Sequence, residues 1–277
     1  MGIKIVADSS SDLLNLDGVE FASAPLKIIT AEKEFIDNSD LDVLDMVNFL
    51  QTYKGKSSTS CPNPNDWLET FGNATEIFCV TITGTLSGSY NAACSAKSTY
   101  EEMYPDRKVF VLNSLTAGPE IYLIIEKLKE LILKGESFDE ICEAITKYSK
   151  NTGLLFMLES MKNLANNGRV SPLIAKMAGL LGIRVVGKAS DKGDLEPLNK
   201  CRGEAKALET IVLHMKSIGF KGGKVRIAHC FNKNASEKLK ELIKKEFENA
   251  KIIINQCRGL CSFYAEKGGL LVGFEYA

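Results

Sequence analysis

The sequence predicts an α/β protein in two parts: a parallel sheet covered by helices, then a smaller α/β unit. Two observations carry this expectation. Short apolar runs alternate with helical patterns up to residue 150, and the pattern then changes at Lys150-Asn151-Thr152-Gly153. Brief apolar runs bounded by turn residues read as strands buried on both faces, and their alternation with amphipathic segments indicates parallel strands joined by helical crossovers. Residues 1–152 are therefore assigned to an N-terminal parallel α/β domain and residues 153–277 to a smaller C-terminal α/β domain.

The elements follow in order. Residues 3–7 and 24–29 read as buried strands, and residues 41–53 carry apolar side chains at helical spacing behind Ser39 or Asp40 as cap. Asn63-Pro64-Asn65-Asp66 opens a helix through Phe71, and residues 76–81 (EIFCVT) form a strand. A helix rich in alanine and serine starts at Ser87 and runs to residue 103. Residues 108–112 are a strand, 116–134 a long amphipathic helix, and 138–150 a helix capped by Ser137. In the second part, strands fall at residues 154–158 and 183–186, with helices at 161–165 and 172–180 between them. A turn at Asp191-Lys192-Gly193-Asp194 follows. Helices at 204–218 and 233–248 flank strands at 225–229 and 251–254, and residues 269–274 form a final strand.

Composition narrows the function. Of 277 residues, 45% are apolar and 25% charged, ordinary values for a globular chain with a sizeable core. The formal charge of −1 and the lack of a long basic stretch argue against a nucleic-acid partner, which needs clustered Lys and Arg. The N-terminal apolar stretch ends at Asp8, too short for a signal-peptide core, and Val6 stands where a myristoylation signal wants Ser or Thr. No apolar run approaches the roughly 18 residues of a membrane span, so the chain is expected in the cytoplasm. Eight cysteines include no CxxC pair, and only His214 and His229 offer imidazoles, so neither a metal nor a cofactor is expected. Scattered cysteines in a reducing compartment are small buried hydrophobes.

Three hydroxyl-rich segments stand at strand ends. In Val80-Thr81-Ile82-Thr83-Gly84-Thr85-Leu86-Ser87-Gly88-Ser89-Tyr90 a strand ends, a loop follows and a helix begins. Free amides at a helix start, at the carboxyl edge of a parallel sheet, favour an anion. The segment equally fits a serine cap with no ligand. Lys56-Ser57-Ser58-Thr59-Ser60-Cys61-Pro62 has more hydroxyls than one cap needs, and Asp8-Ser9-Ser10-Ser11-Asp12 is a third cluster. Together they suggest convergence on one small anionic head group, although each also fits turn and cap chemistry. Arg169, between Gly168 and a helix opening at Pro172, is placed either to fork a carboxylate or to sit solvated in a loop. Enzyme signatures are lacking. Ser87 lies one position out of the GxSxG spacing, no histidine has a motif partner, and no GxGxxG or P-loop occurs.

In this order the segments resemble the DegV family of bacterial fatty-acid-binding proteins. The matches are Val6-Ala7-Asp8-Ser9, Pro25-Leu26, Thr59-Ser60-x-Pro62, Leu86-Ser87-Gly88-Ser89-Tyr90 and Gly168-Arg169-Val170-Ser171, with weaker echoes at Asn113-Ser114-x-x-x-Gly118 and Arg202. The resemblance implies a Rossmann-like N-terminal domain, a smaller α/β C-terminal domain, and a fatty acid buried between them. It implies a carboxylate held by Thr59, Ser87 and Gly88, with Ser60 beside them and Arg169 nearby. It also implies a role as the acyl-carrying subunit of fatty acid kinase, whose separate ATP-using subunit phosphorylates the bound carboxylate. The family's usual His-Thr-Gly-Pro-Gly-type loop is replaced by Phe263-Tyr264-Ala265-Glu266-Lys267-Gly268-Gly269, with Tyr264 at the histidine's place. Tyrosine still donates a hydrogen bond but does not titrate near neutral pH, which bears on phosphotransfer more than on binding. The small residues Asn91-Ala92-Ala93-Cys94-Ser95-Ala96 fit either a path for an acyl chain or tight helix packing.

The expectation is thus a carrier that holds a long-chain fatty acid for a kinase subunit. Two rivals remain: a serine-dependent hydrolase or transferase acting through Ser87, and a sensor that reports lipid supply through a protein interface.

Overall fold

The computed structural model describes residues 2–176 and 182–276. The chain opens with β1 (Ile3–Asp8), a 3-10 turn at Ser9–Ser11, β2 (Glu20–Ala24), β3 (Lys27–Ile29) and β4 (Glu34–Ile36). There follow α1 (Val43–Thr52), β5 (Ser58–Ser60), α2 (Pro64–Phe71), β6 (Glu76–Thr81), α3 (Ser89–Met103), β7 (Lys108–Asn113), α4 (Pro119–Leu133) and α5 (Phe138–Ser149). The remainder runs β8 (Thr152–Leu158), α6 (Lys162–Asn166), α7 (Pro172–Ala175), β9 (Ile183–Ala189), β10 (Leu195–Arg202) and α8 (Glu204–Ser217). It closes with β11 (Lys224–His229), α9 (Lys233–Glu246), β12 (Lys251–Gln256), α10 (Gly259–Ala265) and β13 (Leu270–Glu275).

The expected α/β class and its parallel sheet are present. Strands β2-β1-β6-β7 form a four-stranded sheet whose pairings are all parallel. One face is covered by α2 and α3 around Trp67, Phe71 and Tyr100, the other by α4 and α5. A six-stranded sheet of order β10-β9-β8-β13-β11-β12 is antiparallel except for β11 against β12. Helices α8 and α9 pack on one of its faces. A third sheet, β4-β3-β5, joins α1 in packing against β8, β9, α6 and α10, so residues early in the chain build a core with residues far later.

Several elements differ from expectation for local reasons. The strand expected over residues 24–29 breaks at Pro25, which has no N–H to give a ladder, so β2 and β3 belong to different sheets. Helix α1 is capped by Asp42, whose carboxylate accepts from Asp45 N at 2.9 Å, and not by Ser39 or Asp40. The helix expected from 116 begins only at Pro119, after Gly118 turns the chain at φ 61°. Helix α7 starts at Pro172 as expected and its described part ends at Ala175; residues 177–180 of that expectation lie outside the described residues. Strands β4 and β10 were not expected. The second contains Pro197 and an irregular register between Pro197 and Asn199, which hides its periodicity.

Helix α4 occupies the centre. It touches β1 and β6 on one side and β8, β11 and β13 on the other, and eight of its residues are buried, as a helix apolar on most of its faces requires. β13 passes so close that a Cβ at Gly273 would lie 2.5 Å from Glu120 N. On its second side, Arg226 of β11 pairs with Glu126 through Nε at 3.1 Å and lies 4.0 Å from the Tyr122 ring centroid. Glu120 is itself buried, accepting from Thr152 Oγ1 at 2.7 Å and from Thr116 Oγ1.

Burial pushes the Glu120 carboxyl up from 4.5 to about 7, against the smaller opposing pull of the two threonine hydroxyls. Between those values the folded protein holds a proton that the unfolded chain has lost. Glu120 therefore makes stability fall as pH rises from about 4.5 to about 7, with a level penalty above. Urea denaturation should show Glu120→Gln gaining stability over the parent at pH about 8, by on the order of 3 kcal/mol, and little at pH about 4. Equal effects at both pH values would contradict this assignment.

Candidate functional site

Thr59 belongs to β5 and is not in a loop; it pairs with Ile28 of β3, so a ladder fixes its side-chain direction. After β6 the chain turns through Ile82–Gly88 before α3 begins at Ser89, two residues later than expected. Ser87 is thus outside the helix, and its Oγ accepts from Ser89 N at 3.3 Å while Gly88 occupies the cap position without a side-chain bond. Arg169 is placed by a glycine. Gly168, at φ 72°, ends α6 with its N–H on Ala165 O at 3.0 Å and Arg169 N on Leu164 O at 2.8 Å. Ser171 then caps the next helix by accepting from Ile174 N.

The third hydroxyl cluster does not join them. Asp8 is wholly buried and accepts from Ser10 Oγ, from Ser89 Oγ at 2.6 Å and from Ile82 N at 2.9 Å, while Ser9 Oγ accepts from Leu26 N at 3.0 Å. Burial holds the Asp8 carboxyl above its usual range despite those bonds. These residues brace the β6 loop and the start of α3 from inside. The expected convergence of three loops is therefore a convergence of two.

Those two loops meet at a cavity of about 340 Å³. Thr59, Ser60, Ser87, Gly88, Arg169 and Tyr264 all line it. They also form a connected group. Thr59 Oγ1 and Tyr264 OH share a hydrogen bond of 2.7 Å, and the Arg169 guanidinium carbon lies 5.9 Å from the Tyr264 ring centroid. Arg169 Nε donates to Leu86 O at 3.0 Å and its Nη1 donates to Asn167 O, so much of the guanidinium holds backbone, including the residue before Ser87. Ser60 is exposed at the rim, where its Oγ donates to Cys61 O at 3.3 Å.

Beyond this polar group the walls are apolar. Leu154, Phe156 and Leu158, alternate residues of β8, face the cavity together, as the period of two in a strand dictates. Leu271 of β13, Leu195 of β10, Leu164 of α6, Leu260 and Ala265 of α10, and Leu26, Ile82, Leu86 and Ala117 from the first half join them. From sequence none of these was assigned to a cavity wall, because a continuously apolar run such as LLFML does not tell a cavity from a core. Burial raises the thiols of Cys61 and Cys261, which therefore line the cavity as neutral groups. It also raises Tyr264, with Thr59 and Arg169 opposing, and the phenol keeps its proton at neutral pH. The helix over residues 91–96 is resolved in favour of packing: Ala93 and Ala96 are buried against Trp67 and Phe71 and take no part in the cavity wall. Neither histidine lines the cavity; His214 binds Asn199 Oδ1 at 2.6 Å, and His229 is buried at the end of β11. Arg202 is exposed and also outside it.

Helix α10 delivers Leu260, Cys261, Tyr264 and Ala265, and two buried carboxylates hold its start. Asp37 accepts from Gly259 N at 2.9 Å and Leu260 N at 2.8 Å, and Asp12 accepts from Arg258 N at 2.8 Å. A Cβ at Gly259 would sit 2.6 Å from Asp37 Cγ, so glycine is required for the carboxylate to approach.

A mixed α/β protein with a largely apolar cavity and a hydroxyl-rich group at one side is the class that this geometry defines. The chain belongs to the DegV family: the model for that family, described as an uncharacterised protein, matches residues 2–276. It is 45% identical over 276 residues to a DegV domain-containing protein of Streptococcus pneumoniae, covering 98% of each chain. Among solved structures it is similar to the fatty acid kinase B3 protein of Streptococcus pneumoniae loaded with linoleic acid, with TM-score 0.98 and 45% identity over 100% of both chains. A DegV family protein from Eubacterium eligens loaded with heptadecanoic acid gives TM-score 0.97 and 41% identity, over 99% of this chain and 100% of that one.

Asp37→Ala leaves two buried amides without an acceptor. It should lower unfolding stability by about 3 kcal/mol in urea denaturation, while a change below about 1 kcal/mol would contradict the role given to this carboxylate.

Proposed function

We propose that the chain binds a long-chain fatty acid in this cavity and presents its carboxylate to a separate ATP-dependent kinase subunit for acyl-phosphate formation. The observation that carries the proposal is the one-sided polarity of the cavity: hydroxyls and an arginine gathered at one place, leucines and a phenylalanine around the rest. A long acyl chain with one anionic end is complementary to such a wall. Two relatives more than 40% identical, one from Streptococcus pneumoniae and one from Eubacterium eligens, are loaded with linoleic and heptadecanoic acid, which supports the same ligand class here. The kinase partner is supported by the name of the first of these. A cytoplasmic location fits this role, and among the described residues no helix is long and apolar enough to cross a membrane.

In this reading the carboxylate lies against Thr59, Ser87 and the Gly88 amide, with Ser60 at the rim and Tyr264 as a neutral hydrogen-bond donor. Arg169 supplies positive charge and holds Leu86, so it also orients the Ser87 loop. The ligand lies between the two domains that we place at residues 1–152 and 153–277, with wall residues drawn from both. Burial of about 14 methylenes at about 0.8 kcal/mol each gives an upper bound of about 11 kcal/mol, before the costs of association. Each hydrogen bond to the charged head adds about 1.5–3 kcal/mol less desolvation, so the tail dominates affinity and the hydroxyls set orientation. The carrier reading is favoured over a Ser87 hydrolase because no histidine lines the cavity to take the serine proton.

Native mass spectrometry and lipid extraction of purified protein should show one bound fatty acid per chain. A preparation that carries none and takes up neither palmitate nor oleate would refute the proposal. Ser87→Ala should weaken binding only about threefold to thirtyfold, since one head-group bond is lost and the tail contacts remain. Tyr264→Phe should lower affinity by the same factor at pH about 6 and about 8, because the phenol does not titrate between them; a factor that changes with pH would contradict the assigned neutral donor.

A further inference from the structure

The wall of the cavity contains one residue whose position is dictated by the absence of a side chain on the neighbouring strand. Phe156 of β8 is directly opposite Gly187 of β9 in the antiparallel register, so the two share one face of the sheet. The phenyl ring leans across β9: a Cβ built at Gly187 would lie 2.3 Å from Phe156 Cζ and 2.6 Å from Cε2. No real Cβ contact is that short, so the ring occupies the space that a side chain at 187 would take. Along β9 the same-face neighbours are Val185 and Ala189, two residues either way. On the other side of Phe156 is Leu271, its register partner on β13 and itself a cavity residue. The open volume adjoining the ring is therefore the cavity.

We infer that the Gly187–Phe156 pair sets the width of the cavity beside β8 and thereby decides whether a kinked acyl tail is accepted. With glycine at 187 the ring is parked over β9 and the cavity beside it stays wide. Any side chain at 187 turns the ring toward Leu271 and narrows the path. A straight saturated chain, being slender along its whole length, still passes; a chain bent at a cis double bond needs the extra width. Neither residue has a side-chain polar atom to share with the hydrogen-bonded group at Thr59, Ser87 and Tyr264, so the pair acts on tail selection and leaves the head-group hydrogen bonds in place. This inference rests on the proposed fatty-acid function and adds to it the class of tail that the cavity accommodates.

The test compares oleate with palmitate, of which only oleate is kinked, by titration calorimetry on the full chain stripped of lipid. Gly187→Ala should weaken oleate binding at least about tenfold more than palmitate binding. A methyl at 187 also meets the backbone oxygen of Glu196 at 2.6 Å, so a general disturbance of β10 is a competing cause. The double variant Gly187→Ala with Phe156→Ala separates the two. Restoration of oleate binding implicates the ring, whereas a purely structural disturbance of β10 would persist. Should Gly187→Ala fail to fold, Phe156→Trp decides: its larger ring exceeds the space over Gly187 and should discriminate against oleate in the same direction. Equal losses for both acids, or no restoration in the double variant, overturn the inference while leaving the proposed function standing. Parent protein that binds neither acid overturns both.

Discussion

The architecture depends on the burial of α4 between two sheets. A helix that must hide Ile121, Leu123, Ile124, Ile125, Leu128 and Leu131 cannot be satisfied by the parallel sheet alone. It is covered on its second side by β8, β11 and β13, with Gly273 permitting contact at backbone distance and Arg226 neutralising Glu126 where the packing turns polar. The helix is a spacer. It lies between the two sheets, and beside its N-terminal end the described residues leave a gap. Ala117, just before the helix, lines that gap, as do the alternate residues of β8 that leave the seam.

Around the gap, polar and apolar groups are placed by different means. The apolar wall is a consequence of strand periodicity and needs no special residue except the glycines that let aromatic and backbone groups approach. The polar group is positioned by backbone: Thr59 by a ladder, Ser87 by its bond to Ser89 N, Tyr264 by a short helix tied to Asp37, and Arg169 by the glycine turn after α6. Such groups lose little freedom when a ligand arrives, which favours binding at modest cost. The arginine shows why residue type alone does not define a role, since Nε and Nη1 already bond to main-chain oxygens.

Hydroxyls and glycines at strand and helix ends serve turns and caps as readily as ligands, so it was their ordered resemblance to a family that singled out these residues in the chain. Thr59, Ser60, Ser87, Gly88, Arg169 and Tyr264 do line one cavity. The Asp8–Ser11 cluster looked the same in sequence but faces inward, because a buried aspartate recruits nearby hydroxyls as donors. The parallel strands β1, β6 and β7 were legible as apolar runs. Strand β10 was not, since Pro197 interrupts it and its exposed face is polar. Nor was the pairing of the early segment β3–β5 with the later core, which is a tertiary fact without local signal. The apolar wall was missed because leucines facing a cavity have the same spacing as leucines facing a core.

The most direct test is a crystal structure with a fatty acid brominated at its terminal carbon, using anomalous scattering to locate the bromine. The account predicts carboxylate oxygens within hydrogen-bond reach of Thr59 Oγ1 and Ser87 Oγ, and bromine enclosed by the leucine wall away from them. Bromine beside Thr59 with the carboxylate buried among leucines, or ligand density outside the cavity, would contradict it.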